Sequence, residues 1–148
     1  MYKHILIATD GSELAGRALT HGLALAKEVK AQVTLVTVTQ PWSAFDMAHK
    51  AREGNRDPMH QFEEIAAASA RAILDAARQK AQMAGVACEL VHVPGQHPAE
   101  GIIATAEKNG CDLIVMASHS RRAVGRLLLG SQVSEVLAHS KVPTLVVR

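Results

Sequence analysis

The sequence predicts an α/β fold: a five-stranded parallel sheet, doubly wound, with helices on both faces. Five short apolar runs alternate with segments of helical period, as expected of a parallel sheet with crossover helices. The first run, Ile5–Thr9, is apolar nearly throughout and is typical of a strand covered on both faces. No linker or internal repeat divides the 148 residues, so we expect residues 1–148 to form a single domain.

The predicted strands are short and rich in β-branched residues. They are Ile5–Thr9, Val33–Val38, Cys88–Val93, 112–117 and Pro143–Val147. Pro143 lacks a backbone N–H, and this loss costs least at the edge of a sheet. We therefore expect the last strand to be an edge strand, and we expect the crossovers to be right-handed.

The first two helices carry start signals. Asp10, with Glu13 three residues later, resembles a capping box and predicts that Asp10 is the N-cap of the first helix. Asp57-Pro58 predicts the start of a second helix that runs to Gly85. The predicted inward face of the first helix is Ala15, Ala18, Leu19, Gly22, Leu23 and Ala26. That of the second is Phe62, Ile65, Ala66, Ile73 and Ala77.

The last two helices are shorter. His97-Pro98 opens one of them, with Ile102, Ile103 and Ala106 expected to face inward, and Asn109-Gly110 ends it. Residues 132–139 form the other.

Residues 40–58 have no periodicity and contain two prolines, which predicts a long loop. Trp42 and Phe45 lie in it. Two interpretations stay open: a loop pinned to the surface by these aromatic side chains, which we favour, or a lid over a ligand.

Composition and charge exclude several classes of function. A formal charge of +2 and four aromatic residues argue against nucleic-acid binding. Cys88 and Cys111 are far apart and form no CxxC pair, which suits a reducing cytoplasm. The eight histidines show no ligand spacing typical of zinc sites. We expect no signal peptide and no membrane span, hence a soluble protein.

Two strand ends carry residues suited to binding. Asp10-Gly11-Ser12 follows the first strand, and a long loop, residues 117–131, follows the fourth. Ligands of open α/β sheets bind outside the carboxyl ends of strands where the strand order reverses. If the two strands are neighbours, these segments face each other across one crevice.

The loop 117–131 leads into the last helix, and a helix N-terminus favours anions such as phosphate. Its Gly125 and Gly130 imitate the spacing of a P-loop, but the lysine is absent and Gly125 lies eight residues beyond Ala117. No G-x-G-x-x-G dinucleotide motif follows a strand. The sequence therefore favours a phosphate site of another kind.

Four segments, residues 5–12, 114–122, 127–131 and 142–147, together resemble the universal stress protein family over essentially the whole chain. The resemblance implies a strand order of 3-2-1-4-5, which makes the first and fourth strands neighbours. It also implies a cytoplasmic homodimer, joined through the C-terminal strand 143–148, that acts in the stress response.

Members of that family that bind ATP share a loop of the form G-x2-G-x9-G-(S/T). In this chain Gly130-Ser131 match its end, whereas Ala117 and Ser120 replace its two early glycines. The replacement costs about 1 kcal/mol wherever a left-handed backbone is needed. It would weaken a nucleotide site without necessarily abolishing it.

The resemblance implies an adenine-nucleotide site made of Ala8, Asp10, Val38, Met116, Ala117, Ser120, Gly130, Ser131 and Gln132. Asp10 matches a contact on the ribose or metal side, with a helix N-cap as the alternative. Val38 matches the place where backbone meets adenine, with core packing as the alternative for its side chain. Gly130 and Ser131 match phosphate-binding positions, with capping of the last helix as the alternative.

ATP is the implied cofactor, and Mg²⁺ is expected only together with the nucleotide. Arg121, Arg122 and Arg126 are able to contact phosphates, although solvated side chains are the commoner outcome. We assign no catalytic residue and expect at most slow hydrolysis of ATP. Alternatives are an interaction protein of the same fold that binds no nucleotide, and an enzyme that uses His119 or Asp10 as an acid–base group.

Overall fold

The computed structural model describes residues 1–43, 48–49, 52, 54, 57–119 and 129–148. Strands and helices alternate along them, as predicted. The strands are β1 (His4–Ala8), β2 (Gln32–Thr39), β3 (Cys88–Pro94), β4 (Leu113–Ala117) and β5 (Thr144–Val147). The helices are α1 (Glu13–Val29), α2 (Pro58–Met83), α3 (Pro98–Lys108) and α4 (Ser131–His139).

All neighbouring strands are parallel, and the sheet has the order β3-β2-β1-β4-β5. The predicted order is thus confirmed, and β5 is an edge strand. β1 lies at the centre, where Ile7 is paired with Leu35 of β2 and with Val115 of β4. The strand order reverses between β1 and β4, so this pair marks the crevice expected of a doubly wound sheet.

The core consists of one apolar cluster on each face of the sheet. Ile5 and Ile7 point into the cluster that also contains α1 and α2 side chains. Leu6, between them, points into the cluster formed with α3 and α4. All three side chains are completely buried. A strand covered on both faces needs apolar residues at every position, which explains the continuous run in the sequence.

The predicted cap of α1 is wrong. Ser12 is the N-cap, and its hydroxyl accepts a hydrogen bond from the Ala15 N–H at 3.1 Å. Asp10 lies two residues earlier and accepts from the Ser12 N–H at 2.9 Å. Between them Gly11 has φ +81°, a left-handed conformation that suits glycine, so the turn is longer than a capping box allows. The predicted inward face of α1 is confirmed in full.

The predicted face of α2 is right only in part. Asp57 is the N-cap, Pro58 is the first helical residue, and Gly85 follows the helix in a left-handed conformation, as expected. Ile65, however, is 65% exposed. The buried residues of the helix are Ala70, Leu74, Ala77 and Ala81, so none of the residues before Ala70, the first half of the helix, is fully buried.

The predicted loop 40–58 is not a loop throughout, because Ala48, His49 and Arg52 within it are helical. Its start contacts that same half of α2. Trp42 stacks on Phe62 with ring centroids 4.7 Å apart and an interplanar angle of 15°. The contact supports the pinned-loop interpretation for Trp42, whereas Phe45 lies outside the described residues.

The shorter helix α3 follows its prediction. Ile102 and Ala106 are buried, Ile103 is half-buried, and the helix ends at Asn109-Gly110. Within the described part of the chain, no helix combines the length and apolar character that a membrane crossing demands.

Candidate functional site

A cleft of about 630 Å³ opens at the carboxyl ends of β1 and β4, where the strand order reverses. Its volume lies in the range of small-molecule sites. It is lined by Ala8, Thr9, Asp10, Ala15, Val36, Val38, Pro98, Ile102, Met116, Ala117, His119, Leu129, Gly130, Ser131, Gln132 and Val133.

One side of the cleft is apolar. Val36 and Val38 of β2, Ile102 of α3 and Met116 of β4 line it. α3 comes very close to β2 here, because a β-carbon added at Gly101 would lie 2.8 Å from Val38 Cγ2. The side chain of Val38 therefore packs against α3 and also borders the cleft. Such a wall suits the flat apolar face of a base.

The opposite side begins with the turn between β1 and α1. The hydroxyl of Thr9 accepts from the Gly11 N–H at 3.3 Å, and Asp10 accepts from the Ser12 N–H. Ser12 in turn caps α1. The N–H groups of Gly11 and Ser12 thus have acceptors within the turn itself. The second carboxylate oxygen of Asp10 takes no part in these bonds.

That oxygen meets His119, which follows β4. His119 Nε2 lies 3.1 Å from Asp10 Oδ2 and 3.4 Å from Ser12 Oγ. Burial raises the pKa of Asp10, but the hydrogen bonds from Ser12 and the nearby imidazole outweigh it and hold the pKa below 3.8. Asp10 is therefore an anion at neutral pH, and its side chain is 58% exposed.

The contact does not form a catalytic triad. In a triad the carboxylate and the hydroxyl bond to different nitrogens of the imidazole. Here Asp10 and Ser12 both face Nε2 of His119. The arrangement is therefore a structural contact between the β1–α1 turn and the residue after β4.

The two described ends of the β4–α4 loop are held together. The Gly130 N–H donates to Ser118 Oγ at 3.1 Å, and both residues are buried. A β-carbon at Gly130 would lie 2.6 Å from the carbonyl oxygen of His119, which is closer than real β-carbons come. Gly130 has φ −60°, so glycine is needed here for space and not for a left-handed backbone.

The N-terminus of α4 faces the cleft beside this contact. Gly130 is the N-cap, and no side chain of the described residues caps the helix. The alternative that Gly130-Ser131 caps the last helix is therefore confirmed for Gly130, and phosphate binding at these two residues stays a prediction. A helix start of this kind leaves backbone N–H groups and a partial positive charge for an anion.

Eight of the nine predicted binding residues line the cleft; Ser120 lies outside the described residues, as do Arg121, Arg122 and Arg126. Ala117 is the last residue of β4 and is paired with Val147, so its backbone is extended. The expected cost of alanine in a left-handed conformation does not arise at this position. Its side chain belongs to the core cluster under α1.

Sequence reasoning missed the contribution of α3, whose Pro98 and Ile102 line the cleft. A signal was present: every helix of a doubly wound sheet begins at the carboxyl edge, so the helix after the third strand had to start near the crevice. The hydrogen bond from the Ala99 N–H to Gln132 Oε1, 2.9 Å long, was also missed, because 33 residues separate the partners.

The two cysteine thiols are unreactive at neutral pH. Burial raises the pKa of the Cys88 thiol and raises that of Cys111 to about 11, so both are protonated at neutral pH. In the ranges that the structure describes, no three His, Cys, Asp or Glu side chains are grouped to hold a metal ion.

Comparison with known proteins agrees with the fold. The model of the universal stress protein family matches residues 1–148. The chain is 30% identical to the universal stress protein YxiE of Bacillus subtilis, with 100% of both chains covered. The solved structure of the protein MJ0577 superimposes with a TM-score of 0.78 at 29% identity, covering 99% of this chain and 96% of that one.

A second solved structure is that of a universal stress protein in complex with cAMP. It has a TM-score of 0.72 and 26% identity, and the match covers 99% of this chain and 97% of the other. With a family model matched from end to end, relatives of equal length and the same strand order, this chain belongs to the universal stress protein family.

Proposed function

We propose that this universal stress protein binds ATP or a related adenine nucleotide in the cleft between β1 and β4. We further propose that it acts in the cytoplasm, as a homodimeric regulator of the stress response. One observation carries the proposal: the N-terminus of α4, which no described side chain caps, faces the cleft that Asp10 and the apolar wall also line. The same cleft thus offers a place for a phosphate and for a base.

Different residues of the cleft would bind the phosphates, the base and the ribose. Backbone N–H groups at Ser131 and Gln132 would donate to phosphate oxygens. Val38, Ile102 and Met116 would hold the base, and the carboxylate of Asp10 would accept from ribose hydroxyls or stand beside Mg²⁺ brought by the nucleotide. The structural relative solved with cAMP supports an adenine nucleotide as the class of ligand.

The homodimer through residues 143–148 stays a proposal. It is supported by β5 being an edge strand and by two exposed apolar side chains, Leu145 at 39% and Leu137 at 47%. Edge strands with exposed apolar residues invite pairing with a second chain. Sedimentation equilibrium with Leu145→Lys as the test variant and Met83→Lys, an exposed residue of α2, as the control would decide it. A monomeric L145K with a dimeric M83K supports the dimer, and a monomeric wild type contradicts it.

Isothermal titration of refolded, nucleotide-free protein with ATP and Mg²⁺ tests the binding proposal. We expect one site per chain, and absence of heat at millimolar ATP would contradict it. The alternative of a non-nucleotide interaction protein predicts a different outcome: binding is gained when both early glycines are restored, in Ala117→Gly with Ser120→Gly. Equal affinity of the wild type and this double variant would exclude that alternative.

A further inference from the structure

The N-termini of α3 and α4 converge on the cleft and are joined by a side chain. α3 packs directly against α4. Gln132, the second residue of α4, accepts a hydrogen bond through Oε1 from the Ala99 N–H of α3. Pro98 and Ile102 of α3 line the cleft on one side of this bond, and Ser131 lines it on the other.

α3 depends on this bond because it lacks a cap of its own. His97 is the N-cap, but its side chain makes no capping hydrogen bond, and Pro98 has no N–H. Ala99 carries the first N–H of the helix, and the residue is only 1% exposed. A buried N–H without a partner is costly, so the amide of Gln132 stabilises the position at which α3 meets α4.

The bond bears on one member of the apolar wall. Ile102 is the residue that α3 contributes to the wall, whereas Val36, Val38 and Met116 belong to the sheet. Gly101 lets α3 lie against Val38, so Ile102 stands beside the β2 part of the wall. The Gln132–Ala99 bond ties this end of α3 to the start of α4, where the phosphates are proposed to bind.

We infer that Gln132 is a positioning residue: it caps α3 from α4 and holds Ile102, the α3 member of the apolar wall, in place for a nucleoside phosphate. The inference rests on the proposed function and extends it. Gln132 is thereby assigned a role distinct from direct contact with the phosphates.

Two variants separate this role from a contact role. Gln132→Leu has a similar volume but cannot accept the bond from Ala99. Gln132→Glu keeps an oxygen acceptor for Ala99 and adds a negative charge beside the N-terminus of α4. Gln79→Leu, an exposed position on α2 away from the cleft, is the matched control.

Calorimetry with adenosine and with ATP and Mg²⁺ gives the first readout. We expect Gln132→Leu to weaken both ligands about tenfold, because Ile102 of α3 is no longer held in the apolar wall. Gln132→Glu should keep adenosine within about twofold of the wild type but weaken ATP about tenfold by charge repulsion. A direct contact of the Gln132 side chain with the phosphates predicts instead that Gln132→Leu weakens ATP and leaves adenosine unchanged. That result, or unchanged affinities for both ligands in Gln132→Leu, would overturn the inference.

Hydrogen exchange of the Ala99 amide in ligand-free protein gives the second readout. We expect exchange about tenfold faster in Gln132→Leu than in the wild type, Gln132→Glu and Gln79→Leu. Equal protection in all four proteins would overturn the inference. This measurement needs no ligand, so it still decides the role of Gln132 if the wild type binds neither ligand and the proposed function itself fails.

Discussion

Two helices begin at the same edge of the sheet, beside the same cleft, and they begin differently. α1 starts with Ser12, whose hydroxyl caps the Ala15 N–H, after a turn that pairs its own donors. α4 starts with Gly130, and no described side chain caps it. On the proposed function, this difference separates a turn that stabilises a helix start from a helix start that binds the phosphates.

Among the substitutions at these two helix starts, Gly130→Ala should cause the largest losses of stability and of ATP affinity. The new β-carbon would meet the carbonyl oxygen of His119, so the backbone must move and the bond from the Gly130 N–H to Ser118 is strained. We expect the free energy of unfolding to fall by about 1–3 kcal/mol and ATP affinity to fall by about tenfold or more. Urea denaturation and calorimetry measure the two quantities.

Gly16→Ala is the matched control for that substitution. Its β-carbon would meet no atom closer than the flexible Nζ of Lys80, at 3.4 Å, within α1. We expect a gain of up to about 1 kcal/mol and unchanged ATP affinity. A Gly130→Ala protein as stable as Gly16→Ala would show that the close approach at His119 is not needed.

Ser12→Ala should reduce stability and spare the phosphate site. The loss of the α1 cap predicts a decrease of about 1 kcal/mol in the free energy of unfolding. ATP affinity should change less than about threefold, because the hydroxyl is committed to the helix. A loss of ATP binding free energy larger than the loss of unfolding free energy would contradict the view that the Ser12 hydroxyl serves only the helix.

Ser131→Ala should spare stability and reduce ATP affinity. Ser131 is exposed and is not the N-cap of α4, so we expect stability to change by less than about 0.5 kcal/mol. ATP affinity should fall about threefold to tenfold, with adenosine affinity unchanged, if the hydroxyl assists phosphate binding. Parallel losses for ATP and adenosine would place the effect away from the phosphates.

The smallest expected effect is that of the Asp10 carboxylate on stability at acidic pH. Its folded-state pKa lies below 3.8, so its contribution to stability is present above that pH and is lost as the pH falls through the lowered pKa. Because the side chain is more than half exposed, the contribution is below about 1 kcal/mol. Asp10→Asn should therefore lose slightly less stability than the wild type between about pH 4 and pH 2, as measured by urea denaturation. An equal or steeper loss would contradict this assignment.

Much of the fold follows from local patterns, and the site follows from them only in part. The strands were predictable because burial on both faces demands runs such as Ile5–Thr9, and the order 3-2-1-4-5 came from the family resemblance. Asp10 was misassigned as a cap because Gly11 extends the turn by a left-handed residue that capping patterns do not reveal. Ile65 was misassigned because helical period cannot show where a long helix leaves the core.

Contacts between distant segments account for the rest. The approach of Gly130 to His119, the contact of His119 with Asp10 and the Gln132–Ala99 bond all depend on how helices meet above the sheet. Nothing in the local sequence specifies these distances. They decide the shape of the cleft all the same.

The most direct test of the central claim is backbone amide NMR of the nucleotide-free protein. With ATP and Mg²⁺, we predict the largest ¹H–¹⁵N shift changes at Ser131, Gln132 and Val133, and much smaller changes there with adenosine. The amide of Ala15, capped by Ser12, should stay nearly unchanged with both ligands. Shifts concentrated at the start of α1, or equal shifts at α4 with adenosine and with ATP, would contradict the claim that the N-terminus of α4 is the phosphate site.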